Sequence, residues 1–284
     1  MKTYLVPIDF SEAALNAADF AAHLSNQSDV INIILVNAYY ISPYEQMLPN
    51  PDMMMIREQE IEENVATRFK QLQNLKHKLS KQVREGVKIH IKVNRSHLLR
   101  AVVDITENEH VDLVILGSIG NSTVRENNTG LGSHVIKISK ASPVPVIVVP
   151  PVYSYKPIKK AVIAFDFKKV KDNVPVDCLK KLLGDKKMRL LIVNIDPENK
   201  YGAADEELLA EEAVLHNMLQ QYEPEYFYIN ESNVISGVLD FAAEKNAQIV
   251  IALPHRYSFL QSILHNSISQ QLAANSQVPV LLLK

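Results

Sequence analysis

Short apolar runs alternate with longer stretches in which apolar positions recur every three to four residues, and this alternation occurs twice along the chain. Residues 4–8, 30–38, 111–116 and 146–149 are nearly continuous apolar runs of strand length, and residues 88–93 alternate with period two. Runs of this kind predict strands of a parallel sheet covered on both faces. Between the first two runs, Ala13, Ala14, Ala17, Ala18, Ala21 and Leu24 recur at helical spacing behind Ser11, a predicted N-cap. The charged, amphipathic stretch from about residue 56 to 82 predicts one long helix. Ser96 is the predicted cap of a helix over residues 98–109, and residues 135–139 continue helical after a glycine-rich loop. Strands separated by helices imply a doubly wound α/β sheet, in which ligands sit beyond the carboxyl ends of the strands at the switch point. Asp9, Ala38 and Gly117 are expected to converge there.

The chain also aligns with itself. Residues 4–10 match 161–167 and pair Asp9 with Asp166; residues 31–38 match 188–195. Residues 97–116 match 233–252 without a gap, and 142–149 match 276–283. A repeat half the chain long means tandem domains rather than a solenoid. Pro150, Pro151 and Pro157 flank a tyrosine-bearing segment that predicts a stiff, extended linker at 151–157, between domains over 1–150 and 158–284. The predicted architecture is α/β: two tandem doubly wound domains, each a roughly five-stranded parallel sheet with helices on both faces, packed as a pseudo-dimer.

A chain of 284 residues is long enough for two domains. The 47% hydrophobic fraction and mean hydropathy of -0.05 describe a soluble globular protein. A net charge of -2 gives no reason to expect nucleic acid or an anionic membrane as partner. No apolar run approaches the ~20 residues that span a bilayer. The first nine residues become acidic too soon for a signal peptide, so the cytoplasm is the expected compartment. Cys178 is the only cysteine, which excludes an internal disulfide; it reads as a small core residue.

Candidate chemistry centres on Gly117-Ser118-Ile119-Gly120, followed after eleven residues by Gly132-Ser133. Glycines at the end of a parallel strand let backbone N–H groups approach a ligand. The helix N-terminus behind them adds donors and partial positive charge, which together make a phosphate cradle. The loop lacks the Gly-Lys-Ser/Thr of a Walker A motif and is not G-x-G-x-x-G. On spacing alone, a glycine-rich connection with no ligand is the competing reading. Asp9 reads as a ligand contact or as an acid at a helix start, and Ser133 as a phosphate partner or a helix cap. His134 reads as an exposed helix-start histidine, Arg125 as a solvated loop residue, and the Met53-Met54-Met55 cluster as core packing. The histidines show no metal-ligand spacing. No nucleophile elbow, triad, HIGH-type signature or positioned base is visible, so no dedicated catalysis is expected.

These residues resemble the universal stress protein family in its tandem form. The resemblance rests on Val6-Pro7-Ile8-Asp9-Phe10-Ser11, Val36-Asn37-Ala38, the glycine loop, and Pro145 with the strand after it, and it covers essentially the whole chain. It implies an adenine nucleotide (ATP, ADP or AMP), with Mg²⁺ bridging the phosphates, and dimerisation through the last strand. Asp9 would hold the ribose, Pro7, Ala38 and Leu116 the adenine slot, and Gly117, Gly120, Gly132, Ser133 and the His134 N–H the phosphates. Where the family pattern has nine residues between its second and third glycines, this loop has eleven; the repeat pairs Ser133 with Ser267 and sets that register. In the second half Leu253, Arg256 and Asn266 replace the three glycines, so that half is expected not to bind a nucleoside triphosphate. A scaffold acting through dimerisation and protein contacts, and a weak ATPase, are the alternatives.

Overall fold

A computed structural model describes residues 2–40, 51–118, 132–165, 170, 174–183, 188–197, 206–253 and 268–283. In the first half these form β1 (Lys2–Pro7), α1 (Glu12–Leu24), β2 (Val30–Ala38), α2 (Pro51–Leu79), β3 (Lys88–Asn94), α3 (Leu98–Asn108), β4 (Leu113–Gly117), α4 (Ser133–Ala141) and β5 (Val146–Val149). The second half contributes β6 (Lys160–Ala164), α5 (Val176–Leu183), β7 (Arg189–Asp196), α6 (Glu206–Leu219), β8 (Glu225–Asn230), α7 (Val234–Glu244), β9 (Ile249–Ala252), α8 (Ile268–Asn275) and β10 (Val280–Leu282).

All ten strands lie in one sheet, ordered β3-β2-β1-β4-β5-β10-β9-β6-β7-β8. Each half is a parallel five-stranded unit in which the order reverses beside its first strand, as doubly wound sheets do. The halves meet through antiparallel pairing of β5 with β10, Val148 opposite Val280 and Val146 opposite Leu282. Successive strand residues point to opposite faces, which gives the sheet two separate apolar layers. Ile33 and Leu35 pack with Leu72, Leu75 and Leu79 of α2 on one face. Leu5 and Val114 pack with Val102 and Ile105 of α3 and Ile138 of α4 on the other.

Local signals explain most element ends. The Ser11 hydroxyl accepts from the Ala14 N–H at 3.2 Å and caps α1. The described part of α2 already begins at Pro51, upstream of its expected limit. Ser96 does not cap α3: the N-cap is His97, and the Ser96 hydroxyl donates to the His97 carbonyl instead. Met55 is 71% exposed on α2, against the expectation of core packing for its cluster.

The linker is docked rather than free. Gln27 Oε1 accepts from the Tyr155 hydroxyl at 2.6 Å and from the Ile158 N–H at 2.7 Å. Gln248 Oε1 accepts from the N–H groups of Lys159 and Lys160, and Phe20 packs against the rings of Tyr153 and Tyr155. Among the described residues no helix is long and apolar enough to cross a membrane.

Candidate functional site

A cleft opens where β1 and β4 part. Their register runs only over Tyr4 opposite Leu113 and Leu5 opposite Val114. Pro7 has no N–H to give a ladder on the β4 side. Beyond Leu5 the strands diverge, and the space is lined by Pro7, Ile8, Asp9, Ser11 and Ala14 from β1 and α1, and by Ala38 at the end of β2. Leu98, Leu116, Gly117, Gly132, His134, Val135 and Ile138 complete it. Of the site residues expected from sequence, Pro7, Asp9, Ala38, Leu116, Gly117, Gly132 and His134 are therefore together in one cavity. Gly120 and Arg125 lie outside the described residues, as does the Ser133 side chain.

The turn carrying Asp9 is tightly determined. Asp9 Oδ1 accepts from the Ser11 N–H at 3.0 Å and the Ser11 hydroxyl at 2.6 Å, while Phe10 between them is held at φ 62. A bulky residue in the left-handed region marks a backbone fixed by its surroundings. Ile8 is clamped to β2 at both ends of its peptide units: its N–H donates to the Val36 carbonyl at 2.7 Å, and its carbonyl accepts from Asn37 Nδ2 at 2.6 Å. The carboxylate thus serves the helix start and faces the cavity.

Gly117 and Gly132 have different reasons for lacking a side chain. A Cβ on Gly117 would fall 2.5 Å from the carbonyl carbon and oxygen of Ala13, so glycine is demanded by the close approach of α1. Gly132, with φ -56, is in a region open to any residue and is the N-cap of α4. Ser133 is the first helical residue and not the cap. The Gly132 N–H donates to the Ser118 carbonyl at 3.0 Å, so the stretch carrying the two additional residues leaves and returns at one point. The amides of Ser133, His134 and Val135 have no carbonyl a turn earlier in α4, and His134 is exposed at the helix start. The cavity therefore combines an apolar wall, one carboxylate and a helix N-terminus. Among the described residues there is no group of three or more histidine, cysteine, aspartate or glutamate residues able to hold a metal ion.

Sequence reasoning missed the apolar lining from Leu98, Val135 and Ile138, which face the cavity only because α3 and α4 pack side by side. It also missed Asn37 as an anchor, although a buried asparagine inside an apolar strand, repeated at Asn194, was a visible signal.

The second half differs at the corresponding place. There β6 and β9 remain paired for two residues more, Ile163 opposite Ile251 and Ala164 opposite Ala252. Ile195 stands where the repeat has Ala38 and packs on Gly237, the counterpart of Ala101; a Cβ on Gly237 would meet Ile195 Cδ1 at 3.0 Å. Leu253 is buried at the place of Gly117. Asp166, Arg256, Asn266 and Ser267 lie outside the described residues.

The universal stress protein family model matches the chain twice, over residues 1–150 and 157–284. A solved universal stress protein from Archaeoglobus fulgidus is similar in fold over 99% of this chain and 96% of its own, with a TM-score of 0.65 at 18% identity. A protein of unknown function from Pseudomonas aeruginosa PAO1 is similar over 100% of this chain and 92% of its own, with a TM-score of 0.56 at 14% identity. A search of curated proteins finds no match. The double family match agrees with the two doubly wound halves of the sheet, and the chain belongs to the universal stress protein family in its tandem form.

Proposed function

We propose that the first half binds one adenine nucleotide (ATP, ADP or AMP) and that the protein is a stress-response regulator without dedicated catalysis. The observation that carries this reading is the internal contrast between the halves: β1 and β4 part to form a lined cleft, while β6 and β9 stay paired over the equivalent space. Pro7, Ala38, Leu98 and Leu116 offer an apolar slot for a base. Asp9 accepts from ribose hydroxyls, and the first amides of α4 receive phosphate oxygens. Mg²⁺, where used, is held through the phosphates. The lining contributes one carboxylate, already bonded to Ser11, and one exposed imidazole, an arrangement suited to holding a ligand rather than activating water.

Calorimetric titration of ATP, ADP and AMP with Mg²⁺ into nucleotide-free protein tests the reading. The expected result is one site per chain, with affinity weakened about tenfold or more in Asp9→Ala and Gly132→Val, a loss of about 1.4 kcal/mol. Phosphate release should be equally slow in the wild type and Asp9→Ala. Silence in the wild type would overturn the proposal and leave a scaffold that acts by protein contact.

A further inference from the structure

The cleft has a support that none of its lining residues provides. Arg68, on α2, donates from Nη1 to Asn37 Oδ1 at 3.0 Å, and its guanidinium lies over the Tyr39 ring at 4.4 Å. Asn37 is 2% exposed and passes the contact on by donating to the Ile8 carbonyl, one residue before Asp9. A charged donor on the amide oxygen polarises the amide and strengthens the bond its nitrogen makes. Arg68 therefore acts on the Asp9 turn through a single side chain.

The second half supplies a control within the same molecule. Asn194 occupies the place of Asn37 and donates to the Phe165 carbonyl at 3.1 Å, the equivalent bond. Its Oδ1 is buried without a partner among the described residues. Helix α6, the counterpart of α2, carries no lysine or arginine, and Asp196 stands where Tyr39 would provide the stacking surface. The asparagine has been kept in both halves because it closes a strand end. Among the described residues of α6 the arginine has no counterpart.

We infer that Arg68 is a positioning residue for the nucleotide site, holding the Ile8–Asp9 backbone through Asn37 and linking site occupancy to α2. The inference rests on the nucleotide reading above. Linkage is reciprocal, so a ligand that fixes the Asp9 turn also fixes Arg68 and slows local opening of α2.

Two variants separate positioning from packing. Arg68→Met keeps an apolar stem for Tyr39 but removes the donor; Arg68→Lys keeps a donor and the charge. Hydrogen exchange is read on ligand-free protein over residues 8–14 and, with and without Mg-ATP, over residues 60–75, beside calorimetric titration of ATP. Arg68→Met should exchange faster at 8–14 and bind ATP about tenfold more weakly, the cost of leaving a buried amide oxygen unpaired. Arg68→Lys should recover most of both. ATP should protect residues 60–75 in the wild type and not in Arg68→Met. Unchanged exchange in Arg68→Met, or equal losses in Met and Lys variants, would overturn the inference. Faster exchange at 8–14 in a protein whose wild type binds no ATP would overturn the nucleotide reading instead and retain Arg68 as the support of this turn.

Discussion

A Cβ at residue 117 would stand 2.5 Å from two backbone atoms of Ala13 and 2.9 Å from its side chain. Backbone cannot yield as a flexible side chain can, so Gly117→Ala should shift the first turn of α1 and cost about 2 kcal/mol, within the ordinary range for overpacking. Urea unfolding checks this; an unchanged midpoint would show that α1 moves freely. In the second half the buried Leu253 stands at the corresponding position. Phenols give a second residue-scale effect. Burial pushes the Tyr155 hydroxyl up to about 12, with the charge of Tyr153 adding to it. Burial likewise pushes Tyr4 well above its usual value. A raised folded-state pKa favours the neutral phenol in the folded protein. Its contribution to stability is complete below the unfolded value of about 10 and is lost as pH rises through the folded value. Thermal midpoints should therefore fall steeply above pH ~10, and Tyr155→Phe should flatten that slope even though it loses the bond to Gln27. An identical slope in the variant would contradict the assignment.

At the scale of elements, the two halves differ at a pair of facing residues beside the sheet end. The first half sets Ala38 against α3, which carries Ala101; the second sets Ile195 against α7, which carries Gly237. Gly237→Ala gains about 1 kcal/mol of helix propensity but brings a methyl to 3.0 Å from Ile195, so the two effects oppose each other. In an Ile195→Ala background the closest contact disappears, leaving Glu231 Cβ at 3.3 Å, and the propensity gain remains. A double-mutant cycle should then show a coupling of at least about 0.5 kcal/mol, with Gly237→Ala more favourable once Ile195 is truncated. Additivity would mean that Ile195 repacks around the added methyl without cost.

For the molecule as a whole, the join between β5 and β10 matters most. Every residue of both strands is buried. Removing one half leaves an apolar edge with unpaired backbone groups, which favours pairing with another copy. Residues 1–157 expressed alone should self-associate through β5, as light scattering on a sizing column would show; a stable monomer would contradict this. In the intact chain that edge is covered internally, and the linker tyrosines fasten to each half, Tyr155 to Gln27 and Tyr153 to the Gln248 carbonyl. One cooperative unfolding transition is the expected calorimetric outcome, and two separate transitions would mean that the halves are energetically independent.

Local periodicity and the internal repeat were sufficient to read the strand and helix sequence, the two halves, and the gathering of Asp9, Ala38 and Gly117 at one sheet end. Those features depend on residues near one another or on a pattern written twice. They also made the loss of glycines in the second half visible. The tertiary structure alone decided that β1 and β4 separate while β6 and β9 do not, because that depends on ladder bonds between strands more than 100 residues apart in the first half. It alone gave Gly117 its reason, a helix backbone brought against it, and made Gly132 rather than Ser133 the cap of α4. Arg68 and Asn37 are 31 residues apart, and Tyr155 and Gln27 are 128 apart. Neither pair leaves a periodic trace, because a hydrogen bond between distant segments is specified by how the elements pack and not by the spacing within either one.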